Sequence, residues 1–196
     1  ANAQAPTYGL KLGIGTVLAG TEITEVGDEQ GYFTHEVKYT GGSPVFQIGG
    51  FFNKKFGGLF FQTDLLYHNY SISYDVTSET ATNIPSGEIS EAFHYIDLGI
   101  RAGLTSNGFS IGVGPTIHRN IGHNSALDFI PSYSDKIRKT SYGFVGLLMY
   151  EYEKYIIEIK YEKTFRSIGD HIYYLTSNTR FLETPDQLTL LVGYAF

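Results

Sequence analysis

The sequence predicts an all-β protein that folds as an eight-stranded, antiparallel, up-and-down transmembrane β-barrel. Three observations lead to this prediction. Apolar side chains alternate with polar or small ones along much of the chain, which is the period of 2 that a β-strand imposes. The composition is rich in aromatic residues and glycine, with Tyr 16, Phe 14 and Gly 23. Short turns alternate with long loops, which is the pattern of barrels in the bacterial outer membrane.

Residues 188–196 give the clearest strand and the most informative one. One face carries a row of large apolar side chains, whereas the other face carries mostly small or polar ones. A face that meets lipid, with its final aromatic at the lipid–water boundary, is typical of the strand that closes an outer-membrane barrel. We therefore expect this row to be a C-terminal signal for the barrel insertion machinery: Leu188, Leu190, Val192, Tyr194 and Phe196.

Seven more strands precede this one, at about residues 7–20, 44–53, 59–74, 91–104, 109–120, 141–153 and 155–166. Short turns are predicted at residues 53–58, 105–108 and 153–154, and long loops at residues 21–42, 75–90, 121–140 and 167–185. Pro115 lies inside a predicted strand, where it indicates a bulge or kink because it cannot donate to the ladder. The inward face of residues 141–153 stays ambiguous, since Phe144 and Leu148 compete with Val145 and Leu147.

Composition excludes several classes of protein. No uncharged apolar run approaches the roughly 18 residues of a spanning helix, so a helical membrane protein is excluded. The chain has no cysteine and a net charge of -6 without a basic cluster, which argues against a disulfide framework and against nucleic acid as a partner. Two A-x-A patterns in residues 1–6 indicate a mature N-terminal segment or a signal-peptide remnant, leaving residues 7–196 as the barrel. A soluble β-sandwich or lipocalin-like barrel is the alternative.

The predicted interior carries four acids and four bases. An eight-stranded barrel is narrow enough to be filled by its own side chains, and unpaired buried charges cost several kcal/mol. We therefore expect a salt-bridge network that plugs the lumen rather than a gated pore or proton path. Its members are Lys11, Asp64, Asp97, Arg101, Glu158, Lys160, Glu162 and Arg166.

Catalytic and metal chemistry have little support in the sequence. The sequence places no Ser and His on the same face of the sheet at adjacent strand ends with a carboxylate next to the His. We therefore expect no enzyme and no cofactor. His118 and His123 flank a loop entry and, with Asp128, are the one combination that we considered for a metal at the rim. Loop histidines usually bind nothing, so no metal site is assigned.

Short motifs resemble the PorT-like outer-membrane β-barrel family, which is common in Bacteroidetes. Residues 61–67, Phe-Gln-Thr-Asp-Leu-Leu-Tyr, look like its "Q-x-E-L-x-Y" strand, and residues 94–101 are similar to its next strand, "Y-L-E-I-P-L-L-x-K". Residues 111–115 resemble its "x-x-G-P" strand, and residues 188–196 are similar too. The chain departs from the family at Gly99, where Pro is usual, and has Asp64 and Asp97 in place of the commoner Glu. The resemblance implies an outer-membrane barrel and carries over no catalytic or binding residue.

Two functions follow as hypotheses. The first is a non-enzymatic accessory or anchoring subunit of a larger outer-membrane secretion or assembly complex, in contact with membrane lipid and a protein partner; the family's namesake serves the type IX secretion system. The second is a stand-alone surface barrel whose acidic loops bind a ligand or a host surface. A lipid-modifying enzyme ranks below both.

Overall fold

A computed structural model of the chain describes residues 5–18, 23–27, 34–78, 87–126, 137–165, 168–169, 172–174, 177–179 and 185–196. The described residues form strands joined by turns. These are β1 (Thr7–Leu18), β2 (Ile23–Gly27), β3 (Thr34–Gly42), β4 (Val45–Phe56), β5 (Leu59–Ser78), β6 (Gly87–Ser106), β7 (Phe109–Ser125), β8 (Thr140–Tyr152), β9 (Tyr155–Thr164), β10 (Ile172–Tyr174), β11 (Ser177–Thr179) and β12 (Asp186–Ala195).

Eight of these strands close into a ring. They pair in the order β5, β4, β1, β12, β9, β8, β7 and β6, and β6 pairs back with β5, so hydrogen bonding runs around the sheet without a break. Every pairing in the ring is antiparallel. The all-β, antiparallel class is therefore confirmed, and the ring is consistent with the predicted number of strands. Among the described residues, no helix is long and apolar enough to cross a membrane.

Side chains alternate between the interior of the ring and its outer wall. In β9, for example, Ile156, Glu158 and Lys160 are buried whereas Ile157 and Ile159 are exposed. The same alternation resolves the ambiguity in β8, where Val145, Leu147 and Met149 face inward and Phe144, Leu148 and Tyr150 face outward.

Tight turns join the strands at one end, which we call the turn end. The Asn107–Gly108 turn has positive φ angles of 51° and 84°, as an Asn-Gly hairpin favours. Residues 53–58 do not all form a turn, because β4 continues to Phe56 and leaves only Gly57 and Gly58 to reverse the chain. Lys55 can remain in the strand since its Nζ lies 2.5 Å from the Glu151 carboxylate on β8.

Strands extend further than predicted at the opposite, loop end. β5 runs to Ser78 and β6 begins at Gly87, so half of the predicted loop at residues 75–90 belongs to paired strands. Within residues 21–42, β2 and β3 form a hairpin. Its second strand, β3, pairs with the loop-end part of β5. A smaller hairpin, β10 and β11, lies within residues 167–185.

Pro115 does not produce a bulge, which was one of the two distortions predicted for it, the other being a kink. The β6–β7 register is identical on either side of it, at Gly99 opposite Thr116 and at Ala102 opposite Val113. A proline removes one donor without adding a residue, so pairing can lapse locally while the register is kept. The register shift in this pair of strands lies instead between His94 and Tyr95.

Candidate functional site: the charged interior

The predicted charged residues that the structure describes all lie in the interior of the ring. None is more than 3% exposed: Lys11, Asp64, Asp97, Arg101, Glu158, Lys160 and Glu162. Each has the inward parity of its strand. Arg166, the eighth member of the predicted network, lies outside the described residues.

A first network joins β1, β5, β6 and β9. The Lys11 ammonium contacts the Asp64 carboxylate at 3.2 Å and also contacts Glu158, while the Arg101 guanidinium contacts the other oxygen of Asp64. Gln62 donates from its amide nitrogen to Asp64 and to Glu158, in both cases at 3.2 Å. Cations and carboxylates therefore alternate across the lumen, and an amide satisfies further lone pairs.

Glycines on the same or a neighbouring strand make room for these long side chains. Lys11 lies opposite Gly193 in the β1–β12 ladder, and a Cβ atom at Gly193 would stand 3.1 Å from Lys11 Cγ. Arg101 folds back over Gly99, where a Cβ atom would lie 2.8 Å from the guanidinium. The inward glycines thus allow the two cations to extend along the wall to their partners.

A second network contains two histidines and lies on β5, β6, β7 and β9. Asp97 accepts from His68 Nδ1 at 2.6 Å through one oxygen and from His118 Nδ1 at 2.7 Å through the other. The Nε2 atom of His118 lies 2.8 Å from Glu162, and Lys160 Nζ lies 3.1 Å from the second oxygen of Glu162. We call His68, Asp97 and His118 the histidine cluster.

His118 does not lie at the rim, the position at which it was considered as a metal ligand and not assigned. Because His118 has the inward parity of β7, it is 3% exposed and binds Asp97 and Glu162 instead of pointing into the loop. His123 lies opposite Phe93 and pairs with Glu91 at 3.4 Å. Asp128 lies outside the described residues. The histidine cluster itself was not predicted, although the inward parity of His68, Asp97 and His118 along their strands was a signal for it.

Apolar clusters cover the charged networks on both sides. The cluster at the turn end consists of Phe51, Phe60, Leu147, Met149, Ile156 and Ala195. The cluster at the loop end consists of Val45, Tyr70, Ile72, Tyr74, Ile89, Phe93, Tyr95, Ile137 and Ile168. In the loop-end cluster, Tyr70 and Tyr95 stack with ring centroids 5.9 Å apart. The charges are therefore enclosed between two apolar layers.

The outer wall has the opposite character, because its exposed side chains are large and apolar. Leu98, Ile100, Ile157 and Ile159 are 42–49% exposed at the middle of their strands. Exposed aromatic residues flank this zone at the turn end: Tyr8, Phe109, Tyr152, Tyr155, Tyr194 and Phe196. Others flank it at the loop end: Phe46, Tyr142, Phe144, Tyr161 and Phe165.

The predicted C-terminal row lies on this outer wall. Leu188, Leu190, Val192, Tyr194 and Phe196 are all exposed, on a strand held between β1 and β9. The Phe196 amide donates to the Tyr8 carbonyl at 3.0 Å, which ties the end of the strand to the start of β1. The first and last strands of the ring are therefore neighbours at the turn end.

The chain matches no protein-family model, and a search of the curated proteins finds no match. The resemblance to the PorT-like family therefore stays a prediction from the sequence motifs.

Proposed function

We propose that the protein is an integral barrel of the bacterial outer membrane that acts as a non-enzymatic accessory or anchoring subunit of a larger membrane complex. The observation that carries this proposal is the contrast between an apolar outer wall and an enclosed interior. Such a ring can hold itself in lipid, but its lumen is occupied by its own side chains.

The outer wall supports the membrane location. An outward apolar band flanked by aromatic girdles at both edges is the surface that outer-membrane barrels present to lipid. In water, the same wall would be a contiguous apolar patch far larger than the few hundred Å² that soluble monomers usually expose. In lipid, the free-energy cost of exposing this apolar surface to water is absent.

The interior supports anchoring over transport. Charged side chains cross the lumen between β1, β5, β6 and β9, and apolar clusters lie on either side of them. Opening a path through the ring would separate ion pairs and expose both clusters. A barrel of this kind contributes to function through its outer wall and its loop end, where a protein partner can bind.

Purification from native membranes tests the proposal. The full chain, carrying a small affinity tag, is extracted in a mild detergent, and its native mass and co-purifying proteins are measured. We expect a protein partner at fixed stoichiometry that is missing when an unrelated eight-stranded barrel with the same tag is purified identically. The subunit proposal would be contradicted if the chain were recovered without a partner, in an amount equal to the amount present in the membrane before extraction.

The loop end favours one second candidate, a stand-alone surface barrel that binds a ligand or host surface. There β3 continues the sheet alongside β5, and β2 forms its edge. The hairpin contains Glu25 and Glu36 in a chain of net charge -6, so it suits a cationic ligand. A lone barrel that loses binding to cells or matrix after removal of residues 21–42 would support this candidate.

A further inference from the structure

We propose that the histidine cluster, His68, Asp97 and His118, is an interior binding site for a divalent first-row transition metal ion of the Zn²⁺ type. The proposal concerns the lumen and is independent of the proposed function. It rests on the donor set, its placement by three adjacent strands, and the groups that orient the two imidazoles.

The strand register brings three metal-binding side chains together. Asp97 lies directly opposite His118 in the β6–β7 ladder, while His68 lies on β5, on the other side of β6. Their donor atoms all lie within 4.8 Å of one another, and each residue is at most 3% exposed. Two imidazole nitrogens and a carboxylate are a common protein donor set for zinc, with water or a further group in the remaining position.

The ring nitrogens that face away from Asp97 also have polar partners. His118 Nε2 lies 2.8 Å from Glu162, and His68 Nε2 lies 3.3 Å from the side-chain amide of Gln187. If the Gln187 amide is turned, its oxygen accepts from His68. Polar contacts of this kind favour the proton on Nε2 and aim the Nδ1 lone pair at the metal, as in carboxylate–histidine–zinc arrangements.

Charge balance allows a cation at this position. Among the described residues of the two networks, Lys11, Arg101 and Lys160 face one more carboxylate than they can neutralise: Asp64, Asp97, Glu158 and Glu162. Without a metal, a neutral imidazole with its proton on Nδ1 can make each contact with Asp97. A metal ion takes the place of the Nδ1 protons as the partner of Asp97 while each ring keeps one proton on Nε2, and it brings positive charge beside the carboxylate in excess.

The geometry requires only a small opening. In a tetrahedral site with metal–donor distances of about 2.0 Å, the donor atoms are about 3.3 Å apart. The Asp97 oxygens now lie 2.6 and 2.7 Å from the two Nδ1 atoms. His68 stacks with one ring on its own strand and one on β6, with centroids 5.3 Å from Tyr70 and from Tyr95. The site can therefore accept an ion by a shift of Asp97 and an adjustment of the imidazoles, whose donor atoms lie within 4.8 Å of one another.

Metal content tests the proposal directly. The full chain, without a polyhistidine tag, is unfolded with a chelator, refolded in detergent with Zn²⁺, and separated from free ion before the metal is measured. We expect about one Zn²⁺ per chain. The His68→Asn variant should bind Zn²⁺ at least tenfold more weakly in a chelator competition. The matched control is His94→Asn, because His94 binds Tyr67 outside the cluster and should leave zinc affinity unchanged.

Two results would overturn the proposal. One is wild-type protein that refolds but retains no zinc, and the other is a folded His68→Asn variant that binds zinc as tightly as His94→Asn. If His68→Asn does not fold, X-ray absorption of zinc-loaded wild-type protein decides the matter. Two imidazole nitrogens at about 2.0 Å support the site, whereas a shell without imidazole contradicts it.

Discussion

At the scale of single residues, the interior is governed by the cost of removing charge from water. Lys11 has no solvent contact, yet it has two carboxylate partners, and Asp64 is shared between Lys11 and Arg101. A buried ion pair of this kind stabilises the folded state little more than a well-packed apolar pair does. The loss of one partner is nevertheless strongly destabilising, because it leaves a buried charge without a counter-charge. The fold therefore depends on the completeness of the network.

Replacing Glu158 with Gln tests this dependence. The change keeps the size of the side chain but removes one of the two carboxylates that contact Lys11. We expect the free energy of unfolding in detergent to fall by about 3–5 kcal/mol. Glu88→Gln is the matched control, because Glu88 is exposed near the loop end of β6, and its effect should stay within about 0.5 kcal/mol. Equal unfolding midpoints for the two variants would show that the network does not stabilise the ring.

Residue parity was predictable from the sequence, whereas residue partners were not. The alternation along one strand is local, so the inward positions of Lys11, Asp64 and Asp97 follow from their neighbours in the chain. Contacts such as His68 with Asp97 and His118 depend on the register between three strands, which turn length and bulges set over long distances. The shift between His94 and Tyr95 is a bulge of this kind that no motif indicated.

At the scale of strands, β8 shows why alternation alone can mislead. Leu147 and Met149 face inward because the turn end of the interior is itself apolar, where they join Phe51, Phe60 and Ile156. Both faces of β8 are therefore apolar, and only pairing with β9 distinguishes them, since Leu147 lies opposite Lys160 and Met149 opposite Glu158. The lengths of β5 and β6 were not predicted for a related reason, because a strand that continues beyond the apolar zone of the outer wall needs no apolar outward face.

The outward face of β9 gives a test of depth. Ile159→Arg places a charge at the middle of the apolar wall and should cost about 2–4 kcal/mol for folding into lipid vesicles, as at a bilayer midplane. Ile121→Arg, near the loop end of β7, is the control and should cost about 0–1 kcal/mol because it lies nearer the interface. The measurement is the free energy of unfolding from vesicles. Equal costs at the two positions would argue for a wall that faces water.

The closing strand β12 should matter more for insertion than for stability. Phe196 is 61% exposed, and its ring lies 6.1 Å from Tyr8 and 5.9 Å from Tyr194, so it buries little against the ring. Changing Tyr194 and Phe196 to Ser should lower the amount of protein in the outer membrane several-fold while the refolded variant keeps most of its stability. The paired change Tyr152→Ser and Tyr155→Ser, at the β8–β9 turn, serves as control. Wild-type membrane levels for the Tyr194 and Phe196 variant would refute the insertion role.

At the scale of the whole molecule, the ring combines two surfaces with opposite requirements. Its wall is suited to lipid, and its interior is occupied by salt bridges enclosed between apolar clusters. Eight strands leave room for side chains and little else. The closed lumen and the apolar wall together favour a barrel that stays in place and works through its surface.

A closed lumen should not conduct. Purified protein in a planar bilayer at neutral pH should show no steady pore, because Asp97, Arg101, Glu158 and Glu162 cross the interior and the two apolar clusters cover them. A porin reconstituted in the same bilayers confirms that insertion can be detected. Reproducible channels of uniform conductance would contradict a plugged lumen and would indicate a small porin instead.

The proposed location of the ring in the outer membrane is tested most directly by labelling single cysteines on intact cells with a membrane-impermeant thiol reagent. The chain has no cysteine of its own, so every label reports an introduced site. Cysteine at position 86, in the connection between β5 and β6, should be labelled from outside, whereas Ser106→Cys beside the Asn107–Gly108 turn should react only after the cells are lysed. Labelling of position 106 alone would invert the topology, and labelling of neither or both on intact cells would contradict a ring that spans the outer membrane.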